Sequence, residues 1–409
     1  MKAHNHWNIL VPNGAGKEDL IKAILSHRLL GELASEQIAL YSPMAIKKYL
    51  REEEVHDLYI ISNERGQTLQ SMSSGERKKA LLMHLINQQP SALLLDNPLD
   101  SLDQPGRAEL LRQIKGIAQQ ASIINIVSRT RDFIALEAIA LVYKDQTLSA
   151  YQKDEALVSK VWLEGKLPEP FQQAAGNTDE LILMRDVHVR YGERPILSGI
   201  SWRIAAGEFW QLKGPNGTGK TTLLTMITGD NHKAYGQDIR LFGYQKGSGE
   251  SVWDIKKNIG YYTSNMAHDF WRNQTIAEMI ISGYFDSVGL YVRPSDLQLR
   301  RTNEWLELIG LSDQRDKPFV HLPAGWQRLV LIIRAMVKHP PLLILDEPTS
   351  DLDDANVVLI TGLINKIARE SNTAILYVSH QDEKGLSPDY QYILAPSQSG
   401  STGKVIKSK

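Results

Sequence analysis

Gly214, Pro215, Asn216, Gly217, Thr218, Gly219, Lys220 and Thr221, with Thr222 behind them, fit the pattern G-x-x-x-x-G-K-[ST] at every fixed position. Glycines in such a run let the backbone turn tightly enough for its N–H groups to point at phosphate oxygens. The Lys220 ammonium then reaches the β- and γ-phosphates of a nucleoside triphosphate, and the Thr221 hydroxyl is a ligand for Mg2+. Asp346 and Glu347 end an apolar run, where one carboxylate holds the magnesium water shell and its neighbour polarises an attacking water. His380, just past another apolar run, is placed for the terminal phosphate, and Tyr191, ahead of the loop, for stacking on adenine. These four residues also have plainer readings: a strand-end acid pair, a structural histidine and a packing tyrosine. The complete loop beside them favours the chemical reading of all four.

Such residues need strands that stop at them and helices that start at them. Continuous apolar runs at Leu93–Leu95 and Leu342–Leu345, with further runs at Ile123–Val127 and Ala374–Val378, suit parallel strands buried on both faces. Phe209–Leu212 reads as the strand feeding the loop and Leu223–Ile227 as the helix leaving it. Amphipathic stretches follow Gly75, Asp103 and Gly325. Alternating strands and helices predict two α/β domains. A polar stretch over 154–179, broken by Pro168, Pro170, Gly176 and Asn177, reads as the connection between a domain at 1–153 and another at 180–409.

The two halves repeat. ALLLDNPLDSLD, from Ala92, aligns without gaps on LLILDEPTSDLD, from Leu342, at an offset of about 250 residues. Gly75 falls on Gly325 at the same offset. HWNILVPNGAGK, ending at Lys17, matches FWQLKGPNGTGK, ending at Lys220, but at an offset of only about 203. The first half is therefore shorter between its loop and Gly75. It also starts almost at that loop, which would put the natural start of the chain upstream of Met1 if the halves were once alike.

MSSGE, at Met72–Glu76, resembles the LSGGQ-type signature that ABC ATPases place before a helix. With the phosphate loop, the LLILDEP strand and the SDLD turn, nearly the whole chain resembles the ABC ATPase family. The C-terminal half is similar to the ModF/PhrA group of tandem ATP-binding proteins through GSGESVWDIKKNIGY (247–261), SGYFDSVGLY (282–291) and RAMVKHPPLLILDEP (334–348). That group is named for molybdenum transport and photorepair, and neither name follows from a residue in this chain. The resemblance implies two P-loop ABC-type nucleotide-binding domains in tandem, the first truncated and lacking most of its helical insertion. It also implies head-to-tail pairing, with each nucleotide held between one domain's phosphate loop and the other's signature.

On that pairing the Lys220 loop, Asp346, Glu347, His380 and Tyr191 are closed by Ser73 and Gly75, with Asp103 from the opposite turn. Every required group is present except one: Ser264 stands where the family has a glutamine that contacts Mg2+, the attacking water and the membrane subunit. The Lys17 site fails nearly throughout. Val11 replaces the first glycine, Glu18 the magnesium-ligating hydroxyl, Asn97 the second carboxylate and Arg129 the histidine, and the facing signature reads Leu322-Pro-Ala-Gly-Trp326. The intact pieces of both halves thus fall into one composite site.

The remaining sequence bounds the function. A formal net charge of −1 gives no sign of a nucleic-acid surface, and a chain without cysteine excludes disulfides, thiolate catalysis and zinc–sulfur sites. No apolar run approaches a membrane span of about 18 residues. The expectation is a cytoplasmic ATP hydrolase using ATP and Mg2+, a monomer whose halves form an internal pseudo-dimer. A membrane-subunit partner supplied by another chain would hold it at the inner face of the membrane. A regulatory or stress and repair ATPase outside transport, or a nucleotide-binding switch with little turnover, are the alternatives.

Overall fold

A computed structural model of the chain describes residues 4–33, 36–63, 66–100, 102–152, 163, 165–171, 179–264, 266 and 274–408. The chain divides into two compact units, 1–158 with 351–354, and 159–350 with 355–409.

In the first unit a six-stranded sheet has the order β2-β3-β4-β1-β5-β6. Its strands are β1 (His6–Leu10), β2 (Ile38–Tyr41), β3 (Ala92–Asp96), β4 (Ser122–Val127), β5 (Ala138–Lys144) and β6 (Thr147–Ala150). All neighbours run parallel except β5 and β6. Every residue of β3 and β4 is buried, as strands covered on both faces require, and β4 buries Ser122 and Asn125 among its apolar residues. Helices α1 (Lys17–Leu25), α2 (Pro43–His56), α3 (Ser74–Asn87) and α4 (Gln104–Ile117) supply the covering layers. Their starts are legible locally. Ser42 caps α2 with Pro43 behind it, Asp103 caps α4, and Ser73 with Glu76 closes a reciprocal capping box on α3.

The second unit begins with a long antiparallel pair, β7 (Glu180–Tyr191) and β8 (Arg194–Ala205), followed by β9 (Phe209–Lys213) and α5 (Lys220–Ile227). Strands β10 (Asp238–Leu241) and β11 (Tyr244–Gln245) complete a four-stranded sheet in the order β11-β10-β7-β8. After α6 (Val252–Lys256) and β12 (Ile259–Thr263) come three helices: α7 (Ile276–Ser282), α8 (Asp296–Leu308) and α9 (Ala324–Met336). Then follow β13 (Leu342–Asp346), α10 (Asp354–Glu370), β14 (Ala374–Val378), β15 (Tyr390–Ala395) and β16 (Thr402–Lys407). The main sheet has the order β12-β13-β14-β9-β15-β16, parallel except for its last pair. Strand for strand this is the order of the first unit. Trp202 of β8 stacks on Tyr392 of β15 at 4.2 Å and meets Trp210 of β9 edge-on at 5.6 Å, which joins the two sheets through one aromatic core.

Of the stretch read as a connection, 154–162, 164 and 172–178 lie outside the described residues. The described part is fastened to the second unit. The Leu167 N–H donates to Glu370 at 3.0 Å, Lys366 Nζ to the Gly165 carbonyl at 2.5 Å, and Arg301 to Glu169 at 3.0 Å.

Candidate functional site

The loop 214–219 joins β9 to α5. Gly217 and Gly219 hold φ of +78° and +90°, a region that favours glycine. A Cβ on Gly214 would lie 2.9 Å from both the Leu394 carbonyl and Thr218 Oγ1, so the first position has no room for one either. Thr218 Oγ1 donates to the Pro215 carbonyl at 2.9 Å, and Lys220 Nζ donates to the carbonyls of Gly214 at 2.8 Å and Pro215 at 3.0 Å. The lysine therefore rests on its own loop, on bonds that a phosphate oxygen can replace.

A cleft of about 480 Å³ brings Asn216, Lys220, Thr221, Ser264, Asp346 and Glu347 together. Strand ends place the acids: Asp346 closes β13 beside Thr263 of β12 and Val378 of β14. Burial, and after it the neighbouring Glu347 charge, pushes the Asp346 carboxyl up to about 6, with Lys220 pulling the other way. Glu347 follows in a left-handed conformation at φ +49°, with its N–H bonded to Val378 O at 3.0 Å. Its Oε1 lies 3.0 Å from His380 Nδ1. Thr221 and Asp346 are a hydroxyl and a carboxylate on the same cleft, a hard-oxygen donor pair that fits Mg2+.

Arg194 and Ile196 also line this cleft, and they carry no motif. They arrive at the start of β8, just past the β7–β8 turn, and only the hairpin register, with Tyr191 opposite Arg194, brings them there. Tyr191 does not line the cleft. Its ring is half exposed and its hydroxyl accepts from Asn231 Nδ2 at 3.1 Å.

In the first unit the equivalent loop keeps its shape, with Gly14 and Gly16 at φ +85° and +76° and α1 starting at Lys17. Its chemistry differs. Lys17 Nζ pairs with Asp96 Oδ1 at 2.8 Å, and Val11 is buried in the core. Asn97 has φ +44°, the same backbone turn as Glu347, but its side chain bonds the Ser128 N–H at 3.0 Å and hydroxyl at 3.3 Å. Arg129 is buried. Val11, Gly14, Lys17, Asp96, Asn97 and Ser128 border a cavity of about 440 Å³ that also receives Tyr41, Ser42 and Lys78.

The two signatures differ as well. Ser73 Oγ donates to Glu76 Oε2 at 2.8 Å and accepts from the Glu76 N–H at 3.4 Å, while Gly75 is exposed and a Cβ there would meet nothing within 4 Å. Pro323 gives α9 no side-chain cap, and Gly325 is packed so closely that a Cβ would lie 2.0 Å from Asn356 Oδ1.

A parallel α/β sheet, a glycine-rich loop opening a helix and two strand-end carboxylates define a P-loop nucleotide-binding protein. Residues 197–350 match the ABC transporter family model. The ABC transporter ATP-binding protein ModF of Escherichia coli K12 is 40% identical over 329 residues, 76% of this chain and 67% of that protein. An uncharacterized ABC transporter ATP-binding protein of Schizosaccharomyces pombe is 29% identical over 327 residues, 77% of this chain and 66% of that one. The chain thus spans about two thirds of the length of these curated relatives. It belongs to the family of ABC transporter ATP-binding proteins and is an ABC-type ATPase. Among the described residues no helix is long and apolar enough to cross a membrane.

Proposed function

We propose that the chain hydrolyses ATP at one composite site, the Lys220 cleft closed by Ser73 and Gly75, and that the first half serves the second as a lid. The observation that carries this reading is the contrast between the two lysines. Lys220 shares its cleft with Thr221, Asp346 and Glu347, whereas Lys17 is already paired with Asp96 and has Asn97 where a carboxylate is needed. The first unit is read as an ABC domain with a reduced helical insertion, because among the described residues α2 is the one α-helix between β2 and α3, where the second unit has α7 and α8 before α9.

In this reading Lys220 exchanges its loop carbonyls for phosphate oxygens, and loop N–H groups bind the rest of the anion. Thr221 and Asp346 would hold Mg2+, which neutralises phosphate charge when bound. Glu347 accepts a proton from water as its oxygen attacks the γ-phosphorus and the bond to the β-phosphate oxygen breaks. The His380 ring orients Glu347 through Oε1, and Tyr191 offers its exposed ring to adenine. Opening and closing of the halves would drive a membrane subunit supplied by another chain, as the ATP-binding part of a transport system at the cytoplasmic face of the membrane. Ser264, at the cleft in place of a glutamine, favours a second reading: a regulatory or stress-response ATPase outside transport.

Steady-state turnover of Lys220→Ala and Lys17→Ala tests the one-site claim. Lys220→Ala should abolish hydrolysis and Lys17→Ala should leave it within about twofold. Equal losses would sink it. Co-purification of a membrane protein with Glu347→Gln would favour transport, and stimulation by soluble partners alone would favour the second reading.

A further inference from the structure

We propose that Arg194 is a further nucleotide-binding residue, whose guanidinium holds the α-phosphate of the nucleotide in the Lys220 cleft. This rests on the role given to that cleft above. The β7–β8 hairpin carries Arg185, Arg190, Arg194 and Arg203. Three of them face a carboxylate: Arg185 meets Asp238 at 3.4 Å, Arg190 meets Glu193 at 3.7 Å and Arg203 meets Glu180 at 3.2 Å. Arg194 instead lines the cleft, and its guanidinium has no hydrogen-bond or ion-pair partner among the described residues. Even Glu193, its neighbour in sequence, pairs with Arg190.

The chain around Arg194 fixes where that charge can act. Pro195 follows it, and a residue before proline is held extended. Arg190 then faces Pro195 and Val189 faces Leu197, so Ile196 is the extra residue of a bulge, a device that re-aims side chains beside sites. A Cβ on Gly219 would lie 2.9 Å from Ile196 Cγ2 and 2.8 Å from Leu197 Cδ2. The bulge is therefore pressed against the residue ahead of Lys220. Arg194 comes between this contact and Tyr191, its partner in register, which has the role of meeting adenine. Between base and loop a nucleotide carries its ribose and its α-phosphate, and of the two the phosphate is the anion. Lys220 serves the β- and γ-phosphates, so without Arg194 the α-phosphate has backbone N–H groups alone. ADP and ATP share that phosphate, and Arg194 holds both.

The test is titration calorimetry of MgADP into the full chain, comparing the wild type with Arg194→Ala, Arg194→Lys and Lys220→Ala. Arg194→Ala should weaken ADP roughly five- to tenfold at low salt, and the factor should shrink as salt rises. KM for ATP should rise by the same factor, because the contact is common to both nucleotides. Arg194→Lys keeps the charge and should recover more than half of the loss. Unfolding midpoints without nucleotide should agree within about two degrees, since Arg194 has no partner to lose. Unchanged ADP affinity in Arg194→Ala overturns the proposal. A loss in Arg194→Lys as large as in Arg194→Ala, independent of salt, also overturns it and marks a guanidinium stacked on the base. A higher KM for ATP with unchanged ADP affinity overturns it too, by placing the guanidinium on the γ-phosphate. ADP affinity unchanged in Lys220→Ala overturns the reading of the cleft itself, whatever Arg194 does.

Discussion

Replacing Asp346 by Asn should stabilise the ligand-free second unit at neutral pH while destroying its function. The folded carboxyl titrates at about 6 against an ordinary 3.8, because burial and then the Glu347 charge disfavour its ionised form. The folded state therefore holds this proton more tightly than the unfolded chain does. The resulting stability is fully present below the unfolded value and is lost as pH rises through the folded one. The gap of roughly two pH units, at about 1.4 kcal/mol each, sets the cost of the charged carboxylate near 3 kcal/mol. Asn keeps the shape and removes the charge. For a unit of this size the midpoint of thermal unfolding should rise by roughly 6–12 °C. Thermal scans without nucleotide, followed by the fluorescence of Trp202, Trp210 and Trp305, would measure it between pH 4 and 8. The variant should gain most at pH 8 and little at pH 4, and it should lose the stabilisation that MgATP gives the wild type. A variant less stable than the wild type at pH 8, or a gain that does not vary with pH, would refute the reasoning.

Gly75→Ala should raise stability by up to about 1 kcal/mol, since the helical position is open. The same change should lower ATP turnover where the composite site needs close approach, and unchanged turnover would count against that site. Gly325→Ala should destabilise the second unit by roughly 1–3 kcal/mol through its clash with Asn356, and Asn356→Gly should recover most of the loss in a denaturant titration. Lys246 and Glu250 form an ion pair at 3.1 Å whose side chains are 0% and 1% exposed. Lys246→Met alone should therefore cost roughly 3–5 kcal/mol, and Lys246→Met with Glu250→Gln much less. Burial alone would raise the Glu250 carboxyl, yet bonds from the Gly247 N–H and Lys246 hold it at about 2. Its contribution should persist above pH 4.5 and fade in urea titrations as pH drops toward 2.

The central strands were legible because burial on both faces leaves mostly apolar residues in them, as at Leu93–Leu95 and Ala374–Val378. The repeat was legible for the same reason, and the two sheets share one strand order. Strand β8 alternates buried and exposed residues and carries no motif, so the arrival of Arg194 and Ile196 at the cleft depended on hairpin register. The resemblance makes Ser73 part of the signature that closes the Lys220 site. Its spacing to Glu76 also spelled a capping box, which gives the serine a structural reason to be there as well. The left-handed turn shared by Asn97 and Glu347 could not be read from residue type, since a glutamate gives no sign of positive φ. The pairing of Lys17 with Asp96 needed the fold, because β1 leads into the loop that carries one and β3 ends with the other.

The central claim is that a residue of the first half completes the site of the second. Ser73→Asp, made together with Glu76→Gln so that α3 keeps an uncrowded cap, sets a carboxylate where the signature would meet the terminal phosphate. Glu76→Gln alone is the control. ATP turnover by the double variant should fall by at least about a hundredfold relative to that control, with unfolding midpoints within a few degrees. Turnover equal to the control in a protein that is folded and binds ATP would contradict the composite site directly.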